Sequence, residues 1–369
     1  ITFVAAAADL TGVARVIAIY AKALRQMGHT VCVVLPRPPA ILLRRKVKSL
    51  LRGNGWPRTG GRPASHLLDP EIDCRFLDKW RPVSEKDVPG ADVVIATWWE
   101  TAEWVNRLSA AKGAKVYFVQ HHEVFPFLPV ERSRATYRLP LHKIVVAQWL
   151  KTLMRAEYGD QVVDLVPNSV DRALFFAPPR GKQSVPTVGF TYGITAFKGV
   201  DVTCSAIRII RTKLPNLRVI SFGSCQPIRD LPLPERTEFS FTPPQEKLRE
   251  LYAQCDVWIT ASRSEGFNLP AMEAMTCRTP VVATRTGWPE EAVKTGVNGV
   301  LVDVDDVAGV ADGAHWVLTR TGAQWREVSD AAHATGSIGS WSESASMFET
   351  ALHHACERAS RGEIAGGSH

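Results

Sequence analysis

The sequence contains no Cys-x-x-Cys pair, no internal repeat, and no apolar run near the ~18 residues that a membrane-spanning helix requires. These absences exclude a zinc ribbon or dithiol redox centre, a solenoid, and a membrane-spanning helix within these residues. Cysteine is scarce: Cys32, Cys74, Cys204, Cys225, Cys255, Cys277 and Cys356 are odd in number and far apart. That spacing argues against a disulfide framework and predicts a reduced, cytoplasmic setting. Acids are missing altogether between residues 37 and 62, where Arg37, Arg44, Arg45, Lys46, Lys48, Arg52, Arg58 and Arg62 follow one another. This block predicts an anionic partner surface, either phospholipid headgroups or a phosphorylated acceptor, and peripheral attachment at the inner face of a membrane. A solvated basic face is the alternative reading. Aromatic residues do not interleave with the basic ones, and no nucleic-acid-binding module accompanies them, so nucleic acid is not an expected partner.

What is present is the composition of a folded globular protein, 45% hydrophobic and 22% charged. A chain of 369 residues suits two domains of about 150–200 residues each. ITFVAA, VARVIAIYAKALRQMG and TVCVVLP read as strand, helix and strand, with Gly28 where the helix would stop. The unit predicts a right-handed crossover in a parallel sheet. DVVIAT (92–97), KVYFVQ (115–120) and KIVVAQ (143–148) predict further strands buried on both faces. Prolines, a glycine and polar residues then break the rhythm over 175–187, as an interdomain linker does. Beyond it, TVGFTY (187–192), LRVISFG (217–223), DVWITAS (256–262) and TPVVAT (279–284) predict a second sheet. SWSESASMFETALHHACERAS predicts one amphipathic helix, and GEIAGGSH a frayed end. The expectation is an α/β protein with two doubly wound domains, residues 1–178 and 179–335, a C-terminal helix over 336–360 and a flexible tail over 361–369.

The segment SRSEGFNLPAMEAM (262–275) places Glu265 and Glu273 around a turn that opens a helix. Pro270 suits the first helical position, which puts the amides of Phe267, Asn268 and Leu269 at a helix N-terminus. Unpaired N–H groups and the helix dipole favour a diphosphate there, and Gly266 allows its close approach. Glu273, in the first turn, is placed to accept from the two hydroxyls of a ribose, and Glu265 from the hydroxyls of a second sugar. A dipole-stabilising acid and an exposed acid are the plainer readings of the same pattern.

Ser264 to Pro270, followed by Met272-Glu273-Ala274-Met275, Pro280-Val281-Val282-Ala283-Thr284 and Gly287-Trp288-Pro289-Glu290, resembles the donor-binding signature of family 4 glycosyltransferases. Other segments resemble that family in the same order: Thr11-Gly12 with Arg15-Val16, Pro167-Asn168-Ser169-Val170-Asp171, Phe197-Lys198-Gly199, and Asn298-Gly299-Val300-Leu301-Val302. ATWWETAEWV and YFVQHHEVFPFLP are similar to the rhamnosyltransferase-like branch. The resemblance implies the GT-B fold, two Rossmann-like domains facing a cleft with a last helix crossing back to the first. It implies a nucleotide diphosphate sugar in the second domain and a glycan or lipid-linked acceptor in the first. The implied reaction is retaining transfer of a hexose or deoxyhexose in cell-surface polysaccharide or glycoconjugate synthesis, without metal or cofactor.

By the same resemblance, Glu265, Lys198 and His121 act around the transferred sugar and phosphate, Lys198 neutralising the diphosphate as it leaves. Gly12, Gly266, Phe267, Asn268, Leu269 and Glu273 join Lys198 and Glu265 in holding the donor. Trp98, Trp99, His122 and Glu123 are the acceptor candidates, with core packing and structural histidines as the alternatives. Three departures matter: Gly193 stands where relatives often carry a phosphate-binding arginine, Ser169 replaces a usual glycine, and Arg278 stands where glycine is common. SFGSCQP (221–227) and FTPP (241–244) are expected to border the base. Asp303-Val304-Asp305 matches the metal-binding Asp-x-Asp of a different glycosyltransferase fold, but its place before VAGVADGAHWVL predicts helix capping. A nucleotide-sugar epimerase or isomerase, or a catalytically silent nucleotide-sugar binder, fits the same architecture.

Overall fold

The computed structural model describes residues 1–37 and 65–365. Most of the basic block expected at a membrane surface, residues 38–62, lies outside the described residues, as do residues 366–369 of the tail. The chain divides into two compact units: Ile1–Val145, Lys151–Asp164 and Ala345–His369 form the first, Val146–Leu150 and Leu165–Ser344 the second. Residues 165–178, assigned by sequence to the first domain, thus pack with the second unit. Among the described residues no helix is long and apolar enough to cross a membrane.

In the first unit, strands β1 (Thr2–Val4), β2 (Cys32–Leu35), β3 (Asp73–Phe76), β4 (Val93–Ala96), β5 (Ala114–Val119), β6 (His142–Val145) and β7 (Val163–Leu165) line up in the order β3-β2-β1-β4-β5-β6-β7. Neighbours run parallel, Thr2 lying opposite both Cys32 and Val94. The connecting helices include α1 (Gly12–Gln26), α2 (Trp99–Asn106), α3 (Val130–Thr136) and α4 (Gln148–Tyr158). Helix α1 forms because Thr11 caps it, its hydroxyl oxygen accepting from Ala14 N at 3.3 Å. Its face Val16, Ile17, Tyr20, Ala21 and Leu24 is buried at helical spacing. Gly28, at φ 98°, ends the turn in a conformation few other residues tolerate. Tyr20 stacks on Phe348 at 4.4 Å and meets Phe118 edge-on at 5.5 Å, which anchors the last helix's residues in this core.

In the second unit, β8 (Thr187–Tyr192), β9 (Arg218–Gly223), β10 (Thr237–Phe241), β11 (Val257–Thr260), β12 (Val281–Thr284) and β13 (Gly299–Val302) form a parallel sheet in the order β10-β9-β8-β11-β12-β13. Helices α5 (Val200–Lys213), α6 (Gln245–Ala253), α7 (Leu269–Thr276), α8 (Trp288–Ala292), α9 (Val307–Leu318) and α10 (Gly322–Gly336) follow, and α11 (Trp341–Ser360) closes the chain. Val188, Phe190, Ile259 and Val282 from the sheet bury against Ile207 and Ile210 of α5 and Val310, Ala314 and Val317 of α9. Each large apolar side chain enclosed in this way contributes about 1.5–3 kcal/mol of transfer free energy.

Strands β3, β7 and β10 were not foreseen from sequence. All three lie at sheet edges and are only partly buried, so they lack the continuous apolar run that marks a strand enclosed on both faces. Each sheet also reverses its order once, between β1 and β4 and between β8 and β11. At such a reversal the loops leaving the two strands diverge, and doubly wound sheets bind ligands in the space at those C-terminal ends.

Candidate functional site

In the second unit the reversal places the loop after β8, which carries Gly193 and Lys198, beside the loop after β11, which carries Glu265. The two loops touch at Gly199. Its φ is 58°, and a Cβ there would stand 1.8 Å from Ala261 O, so only glycine fits. The Arg263 amide also donates to Phe197 O at 2.7 Å. With the backbones so joined, Lys198 Nζ donates to both carboxylate oxygens of Glu265, at 2.8 and 3.1 Å. Ser262 Oγ donates to Glu265 Oε1 at 2.7 Å. Glu265 is buried, whereas the Lys198 side chain is 38% exposed, so the carboxylate is held in place by a lysine that reaches solvent.

Helix α7 begins at Leu269, with Pro270 at its second position rather than the first. The N–H of the second position also has no intrahelical partner, so proline costs as little there. Asn268 caps the helix from the left-handed region, φ 81°, accepting from Ala271 N at 3.3 Å and donating to Thr260 Oγ1 at 2.7 Å. Asparagine is among the few residues with a side chain that enter that region readily. Phe267 stacks on Trp288 at 5.8 Å, and its carbonyl accepts from Trp288 N at 2.8 Å. Gly266 O accepts from the indole N–H of Trp149 at 2.9 Å. At Gly287, φ 65°, a Cβ would lie 2.8 Å from Phe267 O and 2.9 Å from Glu265 Cβ, so glycine lets this turn brace the glutamate loop.

Glu273 falls one turn further into α7 than expected; no acid occupies the first turn. It is 3% exposed, and Tyr252 donates to its Oε2 at 2.8 Å. The Tyr252 ring is itself packed edge-on by Trp258 at 4.5 Å and Phe222 at 5.6 Å. A carboxylate has about four lone-pair directions, so this bond orients Glu273 without exhausting it. Ser262, Tyr252 and Trp149 were absent from the sequence-based site. Tyr252 and Trp149 act through contacts remote in the chain, 21 and 117 residues away, whereas Ser262 bonds Glu265 three residues on.

The departures also find places. A Cβ on Gly193 would meet Lys198 Cγ at 3.6 Å, an ordinary contact. Arg278 adopts φ 62°, the conformation that explains a preference for glycine there; its Nε donates to Ala177 O at 3.1 Å and its guanidinium pairs with Asp330. Ser169 is buried, with Gly339 close by. Capping of α9 falls to Asp306, whose Oδ1 accepts from Gly309 N at 2.8 Å, and not to the two acids expected. Asp303 pairs with Arg285 and Asp305 with Arg263.

In the first unit Gly12 opens α1, exposed, after β1, and Trp98 and Trp99 begin α2 after β4. Trp98 is half-buried, while Trp99 is packed in the core with the Arg132 guanidinium 5.1 Å from its ring centre. Beyond β5, His121 Nδ1 bonds the His122 carbonyl at 3.0 Å, so that nitrogen carries the proton. His122 Nε2 lies 2.6 Å from Tyr158 Oη. Burial, helped by His121 and Arg134, lowers the His122 imidazole to about 4, so it is neutral at physiological pH. Glu123, expected among the acceptor contacts, is instead enclosed at 1% exposure. Its Oε2 accepts from Trp99 N at 2.7 Å and from Tyr117 Oη at 3.3 Å. Burial pushes its carboxyl far above the usual carboxylate range, against the pull of those donors. It ties the loop after β5 to the start of α2.

One trio among the described residues, His142, Asp164 and His354, has the spacing of metal ligands. His142 Nδ1, however, faces Arg358 Nη1 at 3.0 Å. Arginine only donates, so Nδ1 is the acceptor and Nε2 carries the proton that meets Asp164 at 2.9 Å. A metal on Nε2 would turn Nδ1–H against the guanidinium, the reverse of the carboxylate or carbonyl that normally supports a ligating histidine. The trio suits a hydrogen-bonded structural network better than a metal.

The family described as Glycosyltransferase Family 4 matches residues 10–174, and the one described as Glycosyl transferases group 1 matches residues 185–320. The chain is 34% identical over 203 residues to D-inositol 3-phosphate glycosyltransferase of Mycolicibacterium smegmatis, covering 50% of this chain and 45% of that protein. It thus spans less than half the length of this curated relative. Sucrose-phosphate synthase of Thermosynechococcus elongatus superposes with a TM-score of 0.74 at 15% identity, over 96% of this chain and 98% of that one. Anabaena HepE, solved with UDP-glucose, gives 0.72 at 18% identity over 96% and 99%. Two family signatures in sequence order, on two parallel doubly wound sheets, lead to one assignment: the chain belongs to glycosyltransferase family 4 and has the GT-B fold.

Proposed function

We propose that this chain transfers a hexose or deoxyhexose from a nucleotide diphosphate sugar to a glycan or lipid-linked acceptor, with retention at the anomeric carbon and without a metal. The observation that carries the reading is the Lys198–Glu265–Ser262 cluster, set beside the N-terminus of α7. Amides and dipole at that helix start favour the diphosphate. Lys198 offers a partly exposed cation for the charge that develops on it as the glycosidic bond breaks. Glu265 accepts from hydroxyls of the transferred sugar, and Glu273 from those of the ribose. Gly12 and the loop of Gly266, Phe267, Asn268 and Leu269 contribute backbone contacts. On the first unit, His121 serves the transferred sugar, while Trp98 and His122 remain the acceptor candidates.

HepE was solved with UDP-glucose, which makes that compound the first donor to try. The mycolicibacterial relative's name makes a phosphorylated polyol a first acceptor. A thermal-shift panel of nucleotide sugars tests the donor assignment, because a ligand at 100 times its Kd adds about 2.7 kcal/mol to apparent stability. No shift with any of them contradicts the reading. NMR of the responding donor separates transfer from isomerisation: conversion without acceptor marks an epimerase, and binding without turnover across an acceptor panel marks a silent binder. The membrane-surface partner rests on the basic block of residues 37–62. Equal sedimentation with anionic and neutral liposomes would remove it.

A further inference from the structure

Arg263 sits in the glutamate loop, two residues before Glu265, yet its guanidinium serves other partners. Nε donates to Asp305 Oδ1 at 2.6 Å, Nη1 to Ala196 O at 2.6 Å and Asp201 Oδ1 at 3.0 Å, and Nη2 to Asp201 Oδ2 at 2.6 Å. Its main-chain amide holds Phe197 O at 2.7 Å. Ala196 and Phe197 are the residues immediately before Lys198, and Asp201 lies in the first turn of the helix immediately after it. One residue of the Glu265 loop therefore grips the lysine's turn on both sides. Asp305, at φ 63°, holds the guanidinium from the start of α9.

A planar fork can bond a carbonyl and chelate a carboxylate at once, and a lysine ammonium cannot reproduce that geometry. Exposed ion pairs of this kind add little to overall stability. The arrangement matters instead for where the Lys198 backbone stands, since a flexible side chain can cover only small errors in its own anchor. With glycine at position 193, where relatives often have a second cation, the donor diphosphate depends more heavily on that one ammonium.

We infer that Arg263 is a positioning residue: it locks the Ala196–Gly199 turn to the Glu265 loop and thereby sets the grip of Lys198 on the donor diphosphate. The inference rests on the donor reading above. The test titrates UDP, GDP, ADP and dTDP into the full chain by calorimetry, and the diphosphate that binds is carried into Arg263→Met, Lys198→Met and the double variant. Arg263→Met is expected to weaken binding by about tenfold or more, and the double variant to bind no more weakly than Lys198→Met alone. A merely structural arginine gives losses that add. Additive losses, or wild-type affinity in Arg263→Met, overturn the inference while leaving the donor site standing. Should Arg263→Met fail to fold, Asp305→Gly, which removes only the Nε contact and suits the φ of 63°, decides: unchanged affinity overturns it. If the wild type binds none of the four, the donor reading itself falls, and this inference with it.

Discussion

Lys198 Nζ and the Glu265 carboxylate meet at 2.8 and 3.1 Å across 67 residues of sequence, a cation and an anion from different loops sharing one spot before any ligand arrives. In the proposed reaction an incoming diphosphate competes for that ammonium, and a sugar hydroxyl for that carboxylate. Lys198→Met is expected to lower kcat by roughly 10²–10³-fold, the loss typical of one transition-state charge contact. It is also expected to cost about 1–3 kcal/mol of stability, because the buried Glu265 carboxylate loses its cation and keeps only the Ser262 hydroxyl. Steady-state kinetics and a thermal melt read the two together.

Tyr252→Phe probes the ribose side. It removes the hydroxyl that bonds the buried Glu273, at an expected stability cost of about 1.5–3 kcal/mol for a hydrogen bond to a charged group. Nucleotide affinity is expected to fall with it, as Glu273 loses its orientation. Denaturant titration and calorimetry on the same variant check both. A stable variant with unchanged affinity would count against this role.

Gly193→Arg restores the second cation. A Cβ there meets only the Lys198 side chain, Cγ at 3.6 Å and Cβ at 4.0 Å, both ordinary contacts. One added charge-assisted contact to phosphate is expected to tighten diphosphate binding by about tenfold. Weaker binding in the variant would show that the position is closed to a cation.

Glu123 gives a pH prediction. Burial raises its carboxyl well above the ordinary value of 4.5, so the folded state keeps the proton that the unfolded state releases. Its contribution to stability is full below about 4.5 and is lost as pH rises toward the folded value. Glu123→Gln mimics the protonated form and is free of that loss. The gap in Tm between Glu123→Gln and wild type is therefore expected to grow from pH 5 upward. Parallel profiles would contradict the assignment.

The central strands were legible because burial on both faces demands an unbroken apolar run, as in VVIA of β4 or VVAT of β12. The edge strands β3, β7 and β10 were not, since an edge tolerates polar residues and its pairing leaves no periodic mark. In the site, the order of motifs singled out Lys198 and Glu265, which the fold brings together. Arg263 and Tyr252 escaped because their roles are relations between distant segments: Tyr252 reaches Glu273 across 21 residues and Arg263 reaches Asp305 across 42. The misplacement of Glu123 has a similar cause. Position at a strand's C-terminal end was visible in sequence, but the turn of its side chain toward Trp99 and Tyr117 was not.

The affinity of the second unit's site for a sugar nucleotide, compared between wild type and Glu273→Gln by titration calorimetry on the full chain, tests the account most directly. A responding sugar nucleotide is expected to bind the wild type and to lose about tenfold or more in the variant, since the carboxylate proposed to accept two ribose hydroxyls is replaced by an amide. Equal affinity in the two proteins would contradict it.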